Sequence, residues 1–362
     1  MKNSKRNIIK IGNRIIGNNH PCFIIAEAGA NWKYCDDMKK NFKHALRLID
    51  IAAKAKADCV KFQIYRASRM YNEMKSGYIK YLGKKEKVFQ TIKKLEVPYD
   101  WLSKLKKYCD NRGILFLATP FDEESADELD RVGVKAFKIA SYTITHIPLL
   151  RHIAKKKKPI ILSTGGSNEK EVEEAIKAVR AAGNNEIILM QCTASYPAPL
   201  ESINLRVIPA LKNRFKIPVG LSDHSREPFI APLGAVALGA NAYEVHYTTD
   251  NKLEGPDHGF AILPHELEQV VKSIRGMEKA LGSGLKVMQK QEALTTSFCR
   301  RSIYVKRDIK KGKKLTKENI HIVRHGEDRG GLLPKYFDEI LGKKARRNLK
   351  KDEALQFKDV EL

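Results

Sequence analysis

The sequence predicts an α/β chain, a (β/α)8 TIM barrel followed by a small β-rich domain. Eight short apolar runs of strand length alternate with segments of helical periodicity, and eight parallel strands are the number that closes such a barrel. After residue 298 the pattern changes to short strands and turns. The length of 362 residues suits a barrel of about 250 residues plus a small extra domain.

The predicted elements follow in order along the chain. Residues 7–18 alternate in polarity and contain a Gly-Asn pair, which indicates a hairpin. Helical periodicity is clear in segments such as 38–57 and 171–183, and the long connection over 64–98 is predicted to be a loop over the active face. The strand runs are 22–27, 59–63, 114–119, 136–141, 159–164, 187–192, 218–223 and 242–247.

Domain boundaries are predicted where the helical pattern ends, near Gly282. We expect the barrel with its N-terminal hairpin to occupy 1–282, a polar linker to occupy 283–297, and the β-rich domain to occupy 298–362. Within that last domain, DIKKG and NLKKDEAL resemble two versions of one turn-plus-strand element.

Composition narrows the class of protein. The 67 Lys and Arg residues exceed the 42 Asp and Glu residues, which gives a formal charge of +25. The dispersed lysines favour a solvated surface, with attraction of a small anionic substrate as an alternative; no pattern supports a nucleic-acid partner. None of the six cysteines forms a CxxC pair, and the chain lacks a secretory signal and an apolar run of membrane-spanning length. We therefore expect a cytoplasmic protein without a nucleic-acid or membrane partner.

Polar, chemically competent residues end nearly every strand run. In a parallel barrel the C-terminal strand ends converge on one face, where barrel enzymes place their active sites. The residues are Glu27 and Asn31; Lys61 and Gln63; Thr119; Lys138 and Ser141; Ser163 and Thr164; Thr193 and Tyr196; Ser222, Asp223 and His224; Glu244 and His246.

Two lysines lie inside strand runs, where a charged side chain needs a partner. Lys61 and Lys138 should point into the barrel mouth or pair with an acid. Together with Ser141, Ser163 and Ser222 they suit a phosphate or carboxylate, because ammonium groups neutralise charge and hydroxyls donate hydrogen bonds. A Schiff-base lysine of the aldolase type is the alternative, but two anion-binding lysines fit the pattern better.

The histidines His224 and His246 end adjacent strands. With Glu27 across the mouth they form a candidate site for one divalent metal, and mixed nitrogen and oxygen ligation favours Mn²⁺ or Fe²⁺. A structural role is the alternative for these histidines. Asp257, just past the last strand, is either a partner for a sugar hydroxyl or a turn residue.

Nine short motifs occur in a distinctive order. They are IIAEAGAN (24–31), VKFQ (60–63), ATPFD (118–122), FKIAS (137–141), PIILSTGG (159–166), QCTASYP (191–197), GLSDHS (220–225), LGAVALGA (233–240) and EVHYT (244–248). Together they resemble the sialic acid synthase family, which makes N-acetylneuraminate and related nonulosonic acids. The segment RRSIYVKRDIKKGKKLT (300–316) resembles the antifreeze-like (β-clip) domain of that family.

This resemblance implies a role for each matching residue. Catalytic roles fall to Glu27, Lys61 and Lys138, and the metal ligands would be His224 and His246. The metal is expected to be Mn²⁺, with Mg²⁺ or Co²⁺ as alternatives. Gln63 and Asp257 would contact the sugar or a water on the metal. The residues implied to contact phosphoenolpyruvate are Lys61, Thr119, Lys138, Ser141, Ser163, Tyr196 and Ser222.

The resemblance also implies a reaction and a partner. The reaction is metal-dependent condensation of phosphoenolpyruvate with an N-acetylhexosamine-type aldose such as N-acetylmannosamine, which gives a sialic-acid-type nonulosonic acid and phosphate for surface polysaccharide biosynthesis. The alternative is a different acceptor, one leading to legionaminate, pseudaminate or a spore-coat sugar. The implied assembly is a domain-swapped homodimer in which the antifreeze-like domain covers the partner's barrel and supplies Arg324 to the sugar site.

Three positions depart from the family pattern. Trp32 follows AGAN where a polar residue is usual, Thr143 stands where a glutamate often occurs, and His325 replaces a proline. All three are expected on the sugar side, so they bear on the acceptor rather than on phosphoenolpyruvate. The rival enzyme is a synthase of eight-carbon or seven-carbon keto acids, and the rival of another class is an inactive nucleic-acid-binding barrel. The C-terminal domain argues against the first rival, and the intact lysines and histidines argue against the second.

Overall fold

A parallel sheet of eight strands forms the centre of the first of two compact units, Met1–Gly282 and Ser283–Leu362. The computed structural model describes residues 8–81, 84–324 and 330–361. In chain order the strands of the first unit are β1 (Ile8–Ile11), β2 (Arg14–Gly17), β3 (Phe23–Gly29), β4 (Cys59–Ile64), β5 (Tyr78–Tyr81), β6 (Lys84–Lys87), β7 (Leu115–Pro120), β8 (Phe137–Ile139), β9 (Ile160–Ser163), β10 (Ile187–Cys192), β11 (Val219–Asp223) and β12 (Ala242–His246).

The eight parallel strands nearly close into a barrel. Their hydrogen-bonded order is β7-β4-β3-β12-β11-β10-β9-β8, and the two end strands contact each other. The predicted TIM barrel is therefore confirmed. The helices of the unit are α1 (Met38–Lys54), α2 (Ala67–Met70), α3 (Val88–Lys94), α4 (Tyr99–Arg112), α5 (Glu123–Arg131), α6 (Ile147–Lys155), α7 (Glu169–Ala181), α8 (Leu200–Ile203), α9 (Val207–Phe215), α10 (Ile230–Ala237) and α11 (Pro264–Leu281).

Local sequence accounts for the ends and faces of these helices. The Asp37 side chain accepts hydrogen bonds from the first turn of α1, and Asn168 with Glu171 forms a capping box at α7. The apolar stripe of each long helix packs on the outward-facing residues of the strands, which places most of the core between sheet and helices.

The hairpin β1–β2 closes the N-terminal end of the barrel. Ile9, Ile11 and Ile16 are buried in one cluster with inward-facing strand residues such as Phe23 and Ile25. The opposite end of the barrel therefore remains the accessible one.

The connection after β4 is not the loop that the sequence predicts. It contains α2, the hairpin β5–β6 and α3, and it packs through a small cluster of Tyr65, Leu95 and Ala30. The prediction was wrong because the apolar residues here are few and widely spaced, so their shared contact surface is not visible as a periodic pattern.

The second unit is built from short elements around its own core. They are α12 (Ala293–Cys299), β13 (Ser302–Val305), β14 (Ile320–Val323), α13 (Phe337–Ile340), β15 (Lys344–Ala345) and β16 (Val360–Glu361). Ile309 and Leu349 exchange two backbone hydrogen bonds of 2.9 Å, so the two related turns of the sequence pair with each other. Across the described ranges, no helix has the length and apolar character needed to cross a membrane.

Candidate active site

Strand periodicity places the polar side chains in the barrel mouth. Side chains alternate between the two faces of a strand, and Phe23 and Ile25 face the interior, so Glu27 faces it too. The same count turns Lys61 inward after Cys59. The residues that line the resulting pocket are Glu27, Lys61, Gln63, Thr119, Phe121, Lys138, Ala140, Ser141, Ser163, Cys192, Tyr196, Ser222, His224, Glu244 and His246.

Two lysines and two glutamates form a charged network at the bottom of this pocket. Lys61 Nζ lies 2.6 Å from Glu27 Oε2 and 3.7 Å from Glu244 Oε1. Lys138 Nζ lies 3.3 Å from the same Glu244 oxygen and donates to Ser163 Oγ at 2.7 Å. All four charged side chains are almost fully buried. Buried charges persist only when they are paired and hydrogen-bonded, so this network is held together by its own members.

Hydroxyl groups surround the network. Lys61 Nζ donates to Thr119 Oγ1 at 3.1 Å, and Ser222 Oγ donates to Glu244 Oε1 at 3.2 Å. Ser141 Oγ accepts the backbone N–H of Gly165 at 3.0 Å. These hydroxyls and ammonium groups can all donate to an anion that enters the pocket.

The pKa values of the network follow from burial and from neighbouring charges. Burial raises the pKa of Glu27, although Lys61 opposes the rise. Burial also disfavours the charge on Glu244, but Lys138 and Lys61 outweigh it and lower its pKa to about 2. Burial lowers the pKa of Lys138, whereas the two glutamates raise that of Lys61 against the effect of burial. Glu244 and Lys61 are therefore both charged at neutral pH.

The two histidines at the ends of β11 and β12 lie side by side, with ring centroids 5.4 Å apart. Nδ1–H of His224 donates to the carbonyl of Thr193 at 2.8 Å, which leaves Nε2 with a free lone pair. Nδ1 of His246 is buried without a hydrogen-bond partner. Burial lowers the pKa of both rings to about 3, so both are neutral imidazoles at physiological pH.

Neutral imidazoles fit a divalent metal, and Nδ1 of His246 is a buried nitrogen that lacks a hydrogen-bond partner. Within the described ranges, however, no three His, Cys, Asp or Glu side chains gather with metal-binding geometry. Glu27 does not complete a set with the histidines, because its carboxylate is engaged by Lys61 and Gln63. His224 and His246 therefore remain the predicted pair of ligands, and Glu27 is a neighbouring carboxylate rather than a third ligand in this arrangement.

Gln63 and Asp257 lie next to each other beside Glu27. Gln63 Nε2 donates to Glu27 Oε1 at 2.8 Å, and Asp257 Oδ2 accepts the backbone N–H of Ala30 at 3.3 Å. Gly29 lies between them with φ +48°, and a Cβ there would be 2.9 Å from Asp257 Oδ2. Only glycine fits this position. Burial raises the pKa of Asp257 to about 6.

The three departures from the family pattern lie in different surroundings. Trp32 is buried, with its ring edge-on to Trp101 at 5.4 Å, so its side chain belongs to the core and not to the sugar side as expected. Thr143 is buried in the short turn that follows Ser141. His325 lies outside the described residues, and Arg324, in the second unit, is exposed.

Glu244 and Phe260 are the most informative of the residues in or beside the pocket that received no role from the sequence. Glu244 is the acid that joins the two lysines, and its inward position in β12, two residues before His246, was the available signal. Phe260 packs on the His246 ring with centroids 5.1 Å apart. No sequence pattern marks Phe260, because it lies in a loop without periodicity.

Comparison with known proteins agrees with this architecture. The NeuB family profile matches residues 48–286, and the SAF domain profile matches residues 300–361. Spore coat polysaccharide biosynthesis protein SpsE of Bacillus subtilis is 40% identical, over 98% of this chain and 97% of that protein. N,N'-diacetyllegionaminic acid synthase of Campylobacter jejuni is 40% identical, over 92% of this chain and 98% of that protein.

A solved structure shares the fold. The N-acetylneuraminic acid (sialic acid) synthetase of Leptospira borgpetersenii, crystallised with citrate, is 36% identical, with a TM-score of 0.71 over 79% of this chain and 94% of that one. Three observations point to the same family: 40% sequence identity over 92–98% of this chain, the match to the NeuB family profile, and the barrel fold. The chain therefore belongs to the NeuB family, the sialic-acid-type synthases, and ends in a SAF (antifreeze-like) domain.

Proposed function

We propose that this chain condenses phosphoenolpyruvate with the open-chain form of an N-acylated amino-sugar aldose, releasing phosphate and a sialic-acid-type nonulosonic acid. The observation that supports it most strongly is the buried pocket that combines two ammonium groups, several hydroxyls and two neutral imidazoles. The relatives named for sialic and legionaminic acids support the same reaction class.

The anion side of the pocket suits phosphoenolpyruvate. Lys61 and Lys138 would hold its carboxylate and phosphate. The hydroxyls of Thr119, Ser163 and Ser222, which are hydrogen-bonded to Lys61, Lys138 and Glu244 in this structure, would donate to the same anion. The network already holds these donors in the pocket, and the entering anion would compete with Glu27 and Glu244 for them.

The reaction balances with water as the third reactant. C3 of phosphoenolpyruvate attacks the aldehyde carbon, and the aldehyde oxygen takes up a proton to become a hydroxyl. Water adds to C2 with loss of one proton. The resulting C2 hydroxyl then loses its proton as the C–O bond to phosphate breaks, which leaves a keto group and phosphate. Glu27, a buried carboxylate with a raised pKa beside the pocket, would accept the proton of that water. Lys61 lies 2.6 Å from Glu27 and stabilises its charged form before the transfer.

His224 and His246 would hold a divalent ion, which we expect to be Mn²⁺. When bound, such an ion supplies Lewis-acid polarisation of the aldehyde oxygen. Gln63 and Asp257 are the neighbouring groups available to orient the hydroxyls of the sugar.

The test is acceptor-dependent release of phosphate from phosphoenolpyruvate in the presence of Mn²⁺. The panel includes N-acetylmannosamine, the acceptors that lead to legionaminic and pseudaminic acids, arabinose 5-phosphate and erythrose 4-phosphate. We expect release with an N-acylated aldose and a nine-carbon keto acid by mass spectrometry. Release with only the pentose or tetrose phosphate, or with no aldose, would contradict the proposal.

A further inference from the structure

Four aromatic rings form a closed group beside the pocket. Tyr196 packs on His224 with centroids 4.1 Å apart, and Phe260 packs on His246 at 5.1 Å. Tyr196 and Phe260 are 5.2 Å apart, the two histidines are 5.4 Å apart, and Tyr196 lies 6.1 Å from His246, so each ring contacts at least two others. Phe260 has no part in the chemistry described above, although it touches a side chain that does.

The main chain on both sides of Phe260 is clamped. Asn251 Nδ2 donates to the carbonyl of His258 at 2.6 Å and to that of Ala261 at 2.8 Å. The His258 ring is in turn hydrogen-bonded to Thr248 Oγ1 at 2.6 Å. The loop is therefore fixed two residues before Phe260 and one residue after it, and the ring has a defined position next to His246.

Both outer rings keep open surface at this position. Tyr196 is 50% exposed and Phe260 is half-buried. An exposed phenyl face next to a binding site offers apolar contact rather than hydrogen bonds, and the C–H faces and acyl methyl groups of a sugar are its natural partners.

Charge near these rings argues against a phosphorylated acceptor. Among the described residues that line the pocket, the cations are Lys61 and Lys138, and each lies within 3.3 Å of a glutamate oxygen. In the part of the chain that the structure describes, the lining of this pocket holds no third cation for a second phosphate, whereas the Asp257 carboxylate, 3.7 Å from His246 Nδ1, would repel one.

We propose that Phe260, together with Tyr196, determines acceptor specificity by packing on an apolar face of an uncharged, N-acylated aldose whose aldehyde end lies at the histidines. The inference rests on the proposed function and deepens it by naming the residues that select the acceptor and its uncharged form. Phe260 acts through contact with the sugar, while its contact with His246 sets the distance between that apolar face and the reacting carbon.

The test compares Phe260→Ala and Phe260→Leu with a matched control, Phe215→Ala. Phe215 is also half-buried and ends α9, four residues before β11 begins, so it lies at the opposite end of the barrel. Phosphate release is measured with the uncharged N-acylated aldose that the wild-type protein uses fastest. We expect Phe260→Ala to raise the KM for this sugar about tenfold, equivalent to about 1.4 kcal/mol, with the KM for phosphoenolpyruvate within about twofold.

The KM of Phe260→Leu for the sugar should lie between those of the wild type and Phe260→Ala, and the KM of Phe215→Ala should match that of the wild type. Wild-type kcat/KM should be at least about tenfold lower for N-acetylmannosamine 6-phosphate than for the uncharged sugar. The inference fails if the sugar KM of Phe260→Ala stays within twofold, if both KM values rise together with a lower melting temperature, or if the phosphorylated sugar is preferred. Absence of phosphate release by the wild-type protein with every aldose would refute the proposed function itself.

Discussion

At the scale of single residues, the main feature of the site is that its charges are paired before any substrate arrives. Lys61 and Lys138 share Glu244, and Glu27 adds a second carboxylate at 2.6 Å from Lys61. An anion that enters must compete with these carboxylates for the same donors. Removing the partner of a buried ammonium group costs much more free energy than removing the partner of an exposed one. Substitutions of these four residues should therefore have large effects on binding.

Removing either lysine should weaken the use of phosphoenolpyruvate more than the use of the sugar. Each charge-assisted hydrogen bond to the anion is worth about 1.5–3 kcal/mol, so Lys61→Ala and Lys138→Ala should raise the KM for phosphoenolpyruvate at least about tenfold. Steady-state kinetics with each substrate varied in turn measures the difference. Lys107→Ala, on the exposed side of α4, is the control. Equal loss for both substrates would contradict an anion pocket.

The histidine pair should determine how much metal the protein binds. His246→Ala removes the buried imidazole with the unpartnered nitrogen, so the bound Mn²⁺ per chain, measured by elemental analysis, should fall by at least about half. Activity should fall with it, and Mn²⁺ should restore chelated wild-type protein better than Zn²⁺. His265→Ala, exposed on α11, should keep both properties. Full activity of a chelated, metal-free sample would reject the metal site.

Strand periodicity made most of the pocket predictable from the sequence. Glu27, Lys61 and Lys138 occupy inward positions that a count of two along each strand identifies. The pairing of these residues was not predictable, since Lys138 and Glu244 are 106 residues apart and only the closed barrel brings them to 3.3 Å. Trp32 was misplaced for a related reason: its aromatic partner comes from α4, and no local pattern reveals that contact.

At the scale of elements, the barrel is built as layers along its axis. The hairpin β1–β2 and the apolar inward residues fill the N-terminal end, and the charged network lies above them. The alternation in residues 8–17 indicates the hairpin, yet nothing in those residues reveals that one face of it covers the barrel. The buried face of the hairpin packs on the inward-facing strand residues that lie below the charged network, so it supports the site from the N-terminal end of the barrel.

The two faces of the hairpin should therefore differ in their effect on stability. Ile11 is fully buried in the barrel floor, whereas Ile15 is 42% exposed. Ile11→Ala should lower the free energy of unfolding by about 2–5 kcal/mol, because it removes buried methyl groups and leaves a cavity. Ile15→Ala is the matched control and should change it by about 0.5 kcal/mol or less. Urea unfolding followed by circular dichroism distinguishes the two, and similar values for both variants would show that the hairpin does not seal the barrel.

At the scale of the whole molecule, the first part of the second unit carries large apolar side chains that are exposed. Five large apolar residues between 285 and 298 are at least 42% exposed, and α12 has no buried residue. The exposed side chains are Leu285, Val287, Met288, Leu294 and Phe298. Apolar groups in a row on the surface of a chain are typical of a protein interface, so we expect a second copy of the chain to cover them.

A domain-swapped dimer should bring Arg324 of one chain to the sugar site of the other. The test uses two variants that we expect to be inactive, His246→Ala and Arg324→Ala, mixed in equal amounts under conditions that exchange subunits. If Arg324 acts across the dimer, each mixed dimer contains one site with both changes and one site with neither. Random exchange makes about half of the dimers mixed, so about a quarter of all sites should regain activity.

The same mixture distinguishes action in trans from action within one chain. If Arg324 serves its own barrel, every site in every dimer keeps one damaged residue, and no activity returns however long the subunits exchange. Native mass spectrometry of the mixture confirms that mixed dimers have formed. A mixture of Lys107→Ala with His246→Ala is the reference, because its activity should equal that of the Lys107→Ala sites alone and should not rise with exchange. Confirmed exchange without recovery would reject the swapped arrangement. It would leave the chemistry of the barrel unchanged, because the lysines, glutamates and histidines of the pocket all belong to one chain.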